Sequence, residues 1–145
     1  MKLLRRAKHN RTLGDDICAR CECSLCLTCA KLVNRWTPPS GKPIESITTR
    51  TDPRFTFAFR PDDDDMQRMR QQLILEPTLT LAWHEATWRC CQRPGGLVVD
   101  VGGNFGWYSL YSLALGCEVV VFEPVPAFHE VLRLGVSLNP GEPAA

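Results

Sequence analysis

Two acidic residues frame the part of the chain whose residue types are best suited to chemistry. Asp100 stands directly before a cluster of glycines, and Glu123 closes the next apolar run 23 positions later. The cluster consists of Gly102, Gly103 and Gly106. Glycines let the backbone turn sharply and approach a ligand with no Cβ in the way. Because carboxylates accept hydrogen bonds and attract cations, the stretch predicts a ligand-binding loop flanked by two acids.

The elements around these residues follow the order strand, helix, strand, helix. "LVVDV" and "EVVVF" are short valine-rich runs typical of strands buried on both faces. "WYSLYSLAL" between them has the length of a helix and ends at Gly116. Such an order predicts a parallel βαβ unit, whose loops gather at the carboxyl edge of the sheet. Pro126 opens the second helix, whose shared face is expected to comprise Phe128, Val131, Leu132, Gly135 and Leu138.

The position of Asp100 distinguishes between classes of nucleotide ligand. A dinucleotide places its pyrophosphate against the start of the helix, where a carboxylate directly before the glycines would repel it. S-adenosylmethionine has no phosphate and carries an amino group and a sulfonium, which that carboxylate attracts. Glu123, at the end of the next strand, can accept hydrogen bonds from two ribose hydroxyls. The two acids together favour an adenosylmethionine site over an NAD site.

The same residues carry a resemblance to a known family. "VDVGGNFGWYSL" followed by "CEVVVFEPVP" resembles the FkbM-type methyltransferases, a branch of the class I S-adenosylmethionine-dependent enzymes. The resemblance implies methyl transfer to an oxygen of a small molecule or sugar, with S-adenosylmethionine as the cofactor. It also implies that Glu123 belongs to the second cofactor motif, and that the first motif comprises Asp100, Gly102, Asn104 and Gly106.

Upstream of the βαβ unit, the pattern predicts a β-hairpin and two helices. "SITTR" and "FTFAF" flank an Asp52-Pro53 turn, and Phe55, Phe57 and Phe59 alternate so that three rings share a face. The four acids from 62 to 65 then suit the start of a helix, since a helix amino terminus favours negative charge; metal binding is the alternative. The second helix is expected to pack through Leu79, Ala82, Trp83, Ala86 and Cys90.

We expect an α/β chain with a Rossmann-like class I methyltransferase fold that is truncated after its first two parallel strands. The hairpin and helices precede those strands, so that residues 44–139 form the front part of the domain and 140–145 a tail. Later strands normally supply much of the acceptor site, and a partner chain that completes the sheet is one expectation. A truncated, non-catalytic fragment with weak or no cofactor binding is an alternative function.

Residues 1–43 read as a basic, cysteine-rich leader and a proline-rich linker that is poorly ordered. "CARCECSLCLTC" contains two C-x-x-C pairs, Cys18 with Cys21 and Cys26 with Cys29. Thiolates at this spacing can chelate zinc or an iron-sulfur cluster, although only four residues separate the pairs. A small metal-binding protein is therefore a further alternative, but no metal ligand is assigned. Without a secretory signal the thiols are expected to be reduced, with Cys90, Cys91 and Cys117 as small buried apolar residues.

Composition excludes some partners and leaves the catalytic group open. A net charge of +1 gives no reason to expect nucleic acid, and no apolar run is long enough to span a membrane. An intracellular protein that acts on a small-molecule acceptor is the expectation. His84 and Glu85 lack the second histidine of a zinc-helix motif, and His129 is expected to lie on the surface. No catalytic residue is assigned.

Overall fold

The structure, a computed structural model, describes residues 2–4, 34–36 and 41–139. Six strands and four helices lie in these ranges. The strands are β1 (Lys2–Leu4), β2 (Asn34–Trp36), β3 (Ile44–Thr48), β4 (Thr56–Phe59), β5 (Leu97–Val101) and β6 (Glu118–Phe122). The helices are α1 (Asp64–Gln72), α2 (Pro77–Cys91), α3 (Trp107–Leu115) and α4 (Pro126–Leu138).

The strands form two small sheets, so the chain is a mixed α/β protein. In the first sheet, of order β1-β6-β5, the β5 and β6 strands run parallel with Val99 opposite Val120. The strand β1 pairs antiparallel with the other edge of β6, through Leu3 opposite Val120. The predicted parallel pair joined by a helix is therefore confirmed. The second sheet, of order β2-β3-β4, is antiparallel throughout.

The predicted hairpin is present, but it does not extend the parallel sheet. Strands β3 and β4 pair with Ile47 opposite Phe57, and the turn between them contains a cis Asp52–Pro53 peptide. The Thr51 hydroxyl donates to the carbonyl oxygen of Pro53 at 2.8 Å, which fixes the turn. Both faces of β4 are covered, because Phe57, Ala58 and Phe59 are all fully buried.

The core lies where this hairpin packs against α3. Phe55 and Phe57 place their rings 5.1 and 5.0 Å from the ring of Trp107, both in edge-to-face geometry. Such aromatic pairs stabilise by about 0.5–1.5 kcal/mol beyond the area they bury. Helix α3 is covered on most of its surface, and even Ser109 and Ser112 are fully buried. The helix that follows the glycine loop is thus the central element of the described fold.

The expectation that the parallel strands are buried on both faces is wrong. Val98 and Val119 face α3 and are buried, whereas Val99 is 53% exposed and Val101 79% exposed. Phe122 is also exposed on β6. The valine-rich runs indicated two-sided burial, but in the described part of the chain the helices cover one face only.

The predicted packing face of α2 is wrong except at Trp83, which packs against the core. Leu79 is 50% exposed and Cys90 is exposed, whereas Thr80 and Cys91 are buried. Polar groups set this orientation: the Trp107 Nε1–H donates to the Thr80 hydroxyl at 2.9 Å, and the Trp83 Nε1–H donates to Ser112 at 3.0 Å. Because these bonds satisfy buried polar groups, the helix presents its threonine side to α3.

Cys91 and Cys117 are joined by a disulfide, so the expectation of reduced, separate thiols is wrong for this pair. The bond ties the end of α2 to the residue before β6. Cys90 is the free cysteine of the described residues, and it is exposed rather than buried. Two adjacent cysteines of the same helix therefore differ in both burial and bonding.

Several further expectations have definite outcomes. A helix follows the four acids from 62 to 65 as predicted, but it begins within them at Asp64, and Asp63 caps α1 by accepting from the backbone N–H groups of Asp65 and Met66. Helix α4 packs through its predicted face, with Val131 and Gly135 buried.

None of the helices in the described ranges is long and apolar enough to cross a membrane. The cysteine cluster at 18–29 and the tail 140–145 lie outside the described residues.

Candidate functional site

The glycine loop between β5 and α3 adopts a left-handed backbone at three positions. Gly102 has φ 82°, Asn104 has φ 50° and Gly106 has φ 90°. Gly106 also needs its missing side chain for packing, because a Cβ there would lie 2.3 Å from a methyl carbon of Leu132 on α4. Gly102 differs, since a Cβ at that position would meet nothing within 4 Å. The loop is therefore packed against α4 at one end and open at Gly102.

Glu123 connects the two strand ends directly. Its Oε2 accepts from the backbone N–H of Asn104 at 2.7 Å, and its Oε1 accepts from the N–H of Val125 at 2.7 Å. Two hydrogen bonds of this kind hold the carboxylate in one orientation. The structure thus brings together Glu123 and the glycine loop, as the order of elements predicts.

Asp100 is fixed by the helix that begins after the loop. The Ser109 hydroxyl on α3 donates to Asp100 Oδ2 at 2.5 Å, and the aspartate is half-buried. Gly103 lies beside this carboxylate at a position with no room for a side chain. A Cβ on Gly103 would lie 2.4 Å from Val121 and 3.5 Å from Asp100 Oδ2. The absence of a side chain at Gly103 therefore leaves room for both the sheet and the carboxylate.

His129, which the sequence analysis places on the surface, contacts the site. Its Nε2–H donates to the backbone carbonyl oxygen of Glu123 at 2.7 Å, and its ring is half-buried. The acceptor is a carbonyl, so the hydrogen must lie on Nε2. The spacing of six residues between Glu123 and His129 crosses the strand-to-helix turn, which no simple periodicity detects.

His84 belongs to a different part of the molecule. Tyr111 donates its hydroxyl hydrogen to the carbonyl oxygen of Asp52 at 2.9 Å and therefore accepts from His84 Nδ1 at 2.8 Å. The His84 ring also stacks on Trp88 and Tyr111. This chain of contacts joins α2, α3 and the hairpin turn, so His84 serves the packing of these elements.

The two tyrosines of α3 both favour the neutral phenol. Burial raises the pKa of Tyr108, and the hydrogen bond that its hydroxyl donates to Glu76 Oε2 at 2.9 Å raises that pKa further. Burial also raises the pKa of Tyr111, with the charge of Asp52 as the second cause. Neither phenol is therefore suited to act as a base near neutral pH.

A separate cavity of about 220 Å³ opens on the outer side of the loop. It lies between the end of β4, the loop residue Phe105 and the first turn of α4, and neither Asp100 nor Glu123 lines it. Phe105 and Phe128 form part of its wall and meet edge to face at 5.0 Å. No sequence pattern indicates this cavity, because its walls come from segments far apart in the chain.

Within residues 41–139 no three histidine, cysteine or acidic side chains converge as a metal site would require. Comparisons with protein-family models, curated proteins and solved structures each find no match.

Proposed function

We propose that the carboxyl edge of β5 and β6 binds S-adenosylmethionine, and that the chain is the cofactor-binding part of an FkbM-like methyltransferase. The observation that carries the proposal is the contact between Glu123 Oε2 and the Asn104 N–H, which gathers the predicted residues at one edge of the sheet. Ligands of open α/β folds bind at such an edge.

The residues present fit the chemical groups of this cofactor. Each oxygen of Glu123 receives one backbone hydrogen bond and keeps acceptor capacity for a ribose hydroxyl. Asp100 uses Oδ2 for Ser109, and its charge can attract an ammonium or sulfonium group. The open space at Gly102 allows a ligand to approach the backbone closely.

The charge at this edge also supports the choice of cofactor. The carboxylate of Asp100 stands directly before the glycines, where a dinucleotide would place its pyrophosphate, and in a poorly screened site like charges repel strongly. A cationic nucleoside suits this field better than NAD.

In the proposed reaction the bound cofactor supplies an electrophilic methyl group for in-line transfer to an acceptor oxygen of a small molecule or sugar. The chain contributes by orienting the nucleoside through Glu123, by attracting positive charge through Asp100, and by shaping the loop through its glycines. Alignment of this kind accounts for much of the rate gain in displacement reactions. No described residue is assigned as the base that receives the acceptor's proton.

Isothermal calorimetry with S-adenosylhomocysteine tests the proposal. We expect saturable binding by the full chain, and we expect Glu123→Gln and Asp100→Asn each to weaken it by about tenfold or more, since each loses a charged hydrogen-bond partner. Glu118→Gln is the matched control, because Glu118 begins the same strand at the opposite edge. It should leave the affinity within about twofold.

NAD serves as the competing ligand in the same experiment. Binding of NAD with no binding of S-adenosylhomocysteine would contradict the proposal, and so would equal affinities of the wild-type chain and both site variants. Circular dichroism on each variant separates loss of binding from loss of folding.

A further inference from the structure

The cavity beside the loop contains a buried arginine whose hydrogen-bonding capacity is incompletely used. Arg60 follows β4, and its side chain is 8% exposed. Its Nη2 donates to the carbonyl oxygen of Ala127 at 2.9 Å and lies 3.7 Å from Glu130 Oε2. The Nε–H of Arg60 is buried and has no hydrogen-bond acceptor among the described residues. A buried donor left without a partner is costly, so a ligand that supplies an acceptor is stabilised here.

The shape of the guanidinium defines what that acceptor is. The Nε–H and one Nη2–H of an arginine form a planar fork that matches the two oxygens of a carboxylate. Nη2 carries two hydrogens, and the carbonyl oxygen of Ala127 takes one of them. The Nε–H on this side of Arg60 therefore lacks an acceptor among the described residues, and a planar oxyanion that reaches it would supply one.

The other charges of the cavity limit the ligand further. Lys42 adds a second cation to the wall, while Asp62 and Asp63 add two anions. Asp63 already accepts from two backbone N–H groups through Oδ1 as the cap of α1, whereas Asp62 is exposed. A phosphate dianion would be attracted by the cations but repelled by the nearby aspartates. A molecule that carries both a carboxylate and an ammonium matches both signs.

We infer that this cavity binds a small zwitterion of the amino-acid type. Its carboxylate contacts the Arg60 fork and Lys42, and its ammonium faces Asp62. The volume of about 220 Å³ suits a small molecule, and the rings of Phe105 and Phe128 supply an apolar wall for its carbon atoms. The inference concerns residues that the proposed cofactor site does not use, so either can fail without the other.

Nuclear magnetic resonance of the ¹⁵N-labelled full chain tests it, because arginine Nε–H groups give their own signals. Glycine, acetate and inorganic phosphate are titrated separately. We expect the Arg60 Nε–H signal to move saturably with glycine in the millimolar range, to move less with acetate at equal concentration, and to show no saturation with phosphate. Arg54, exposed in the hairpin turn, is the internal reference whose signal stays in place.

Single variants test the contributions of the positive and the negative side chains separately. Arg60→Lys keeps the positive charge but loses the fork, and we expect it to weaken glycine binding by about tenfold or more. Lys42→Ala and Asp62→Asn, both at exposed positions, should each weaken binding by about two- to fivefold. Arg54→Lys is the matched control and should have no effect. If Arg60→Lys fails to fold, Lys42→Ala and Asp62→Asn still test the inference, because both variants keep the Arg60 Nε–H signal.

Three results would overturn the inference. The first is the absence of any saturable movement of the Arg60 signal. The second is an equal response to glycine and phosphate, which would indicate a general anion site. The third is unchanged glycine affinity in both Lys42→Ala and Asp62→Asn.

Discussion

Tyr111 connects three elements through one hydroxyl group. It donates to the carbonyl oxygen of Asp52 in the hairpin turn and accepts from His84 on α2, while its ring stacks 5.9 Å from Phe55. Burial, assisted by the charge of Asp52, raises its pKa above the ordinary phenol value of about 10. The fold therefore selects the neutral form of this side chain.

This pKa direction predicts a loss of stability in alkali. A group whose pKa is raised by folding contributes fully below its unfolded pKa, and the contribution is lost as the pH rises through the folded pKa. We expect the free energy of unfolding to fall as the pH rises above about 10, the ordinary pKa of a phenol, and to fall less in Tyr111→Phe. Urea unfolding at intervals across this range measures the effect.

The other tyrosine of the chain, Tyr108, is replaced as well, because its pKa is also raised and it adds to the alkaline loss of stability. The double variant Tyr108→Phe, Tyr111→Phe should show the smallest alkaline loss of all. An identical pH dependence in the wild type and the double variant would exclude the phenols as its source.

The parallel sheet has one covered and one open face in the described part of the chain. Val119 on β6 is fully buried against the α3 side, whereas Val101 on β5 is 79% exposed. The same residue type on neighbouring strands therefore contributes differently to stability. Burial of an aliphatic side chain, and not its presence in a strand, determines that contribution.

Alanine substitution at the two valines measures this difference. We expect Val119→Ala to lower the free energy of unfolding by about 2 kcal/mol, since it removes buried methyl groups and leaves a cavity. Val101→Ala should change it by less than about 0.5 kcal/mol, as is usual for exposed positions. Denaturant unfolding gives both values, and equal losses would mean that a further element covers the open face.

At the scale of elements, the sequence predicts what is determined locally. The Asp52-Pro53 turn, the helix start at the acids from 62 to 65 and the end of α3 at Gly116 depend on neighbouring residues, and all three are present. The orientation of α2 depends instead on which side chains meet it from elsewhere. Trp107 bonds to Thr80 across 27 positions, and in this orientation the expected apolar stripe of α2 is exposed except at Trp83.

The sequence likewise predicts the residues at the strand ends of the candidate site but not the contacts made by distant segments. Asp100 and Glu123 were expected at one edge because parallel strands bring their carboxyl ends together, and the contact between Glu123 and Asn104 agrees with that expectation. The cavity around Arg60 could not be predicted, since Arg60 contacts Ala127 across 67 positions. His129 was missed because its contact is to a backbone carbonyl, which no side-chain motif signals.

At the scale of the whole molecule, the disulfide between Cys91 and Cys117 is the covalent link between α2 and the parallel sheet. The two cysteines are 26 positions apart, and both side chains are buried. Closing a loop of this length lowers the entropy of the unfolded chain by the equivalent of about 3.5 kcal/mol.

Replacement of this pair should therefore lower stability substantially. We expect the double variant Cys91→Ser, Cys117→Ser to lose about 3 kcal/mol of unfolding free energy, and we expect reduction of the wild type to have a similar effect. Urea unfolding with and without reductant measures both. Cys90→Ser is the control and should behave as the wild type; a reductant-insensitive wild type would contradict the prediction.

The position of this bond has a topological consequence for the candidate site. Asp100, the glycines and all of α3 lie inside the covalent ring that Cys91 and Cys117 close, whereas Glu123 and His129 follow it. A protease that cuts the exposed turn at Arg93–Gly95 would therefore open the ring without releasing either piece. Asp100, the glycine loop and Glu123 would all stay on the carboxyl-terminal piece, and a reductant would separate that piece from α2 and the hairpin.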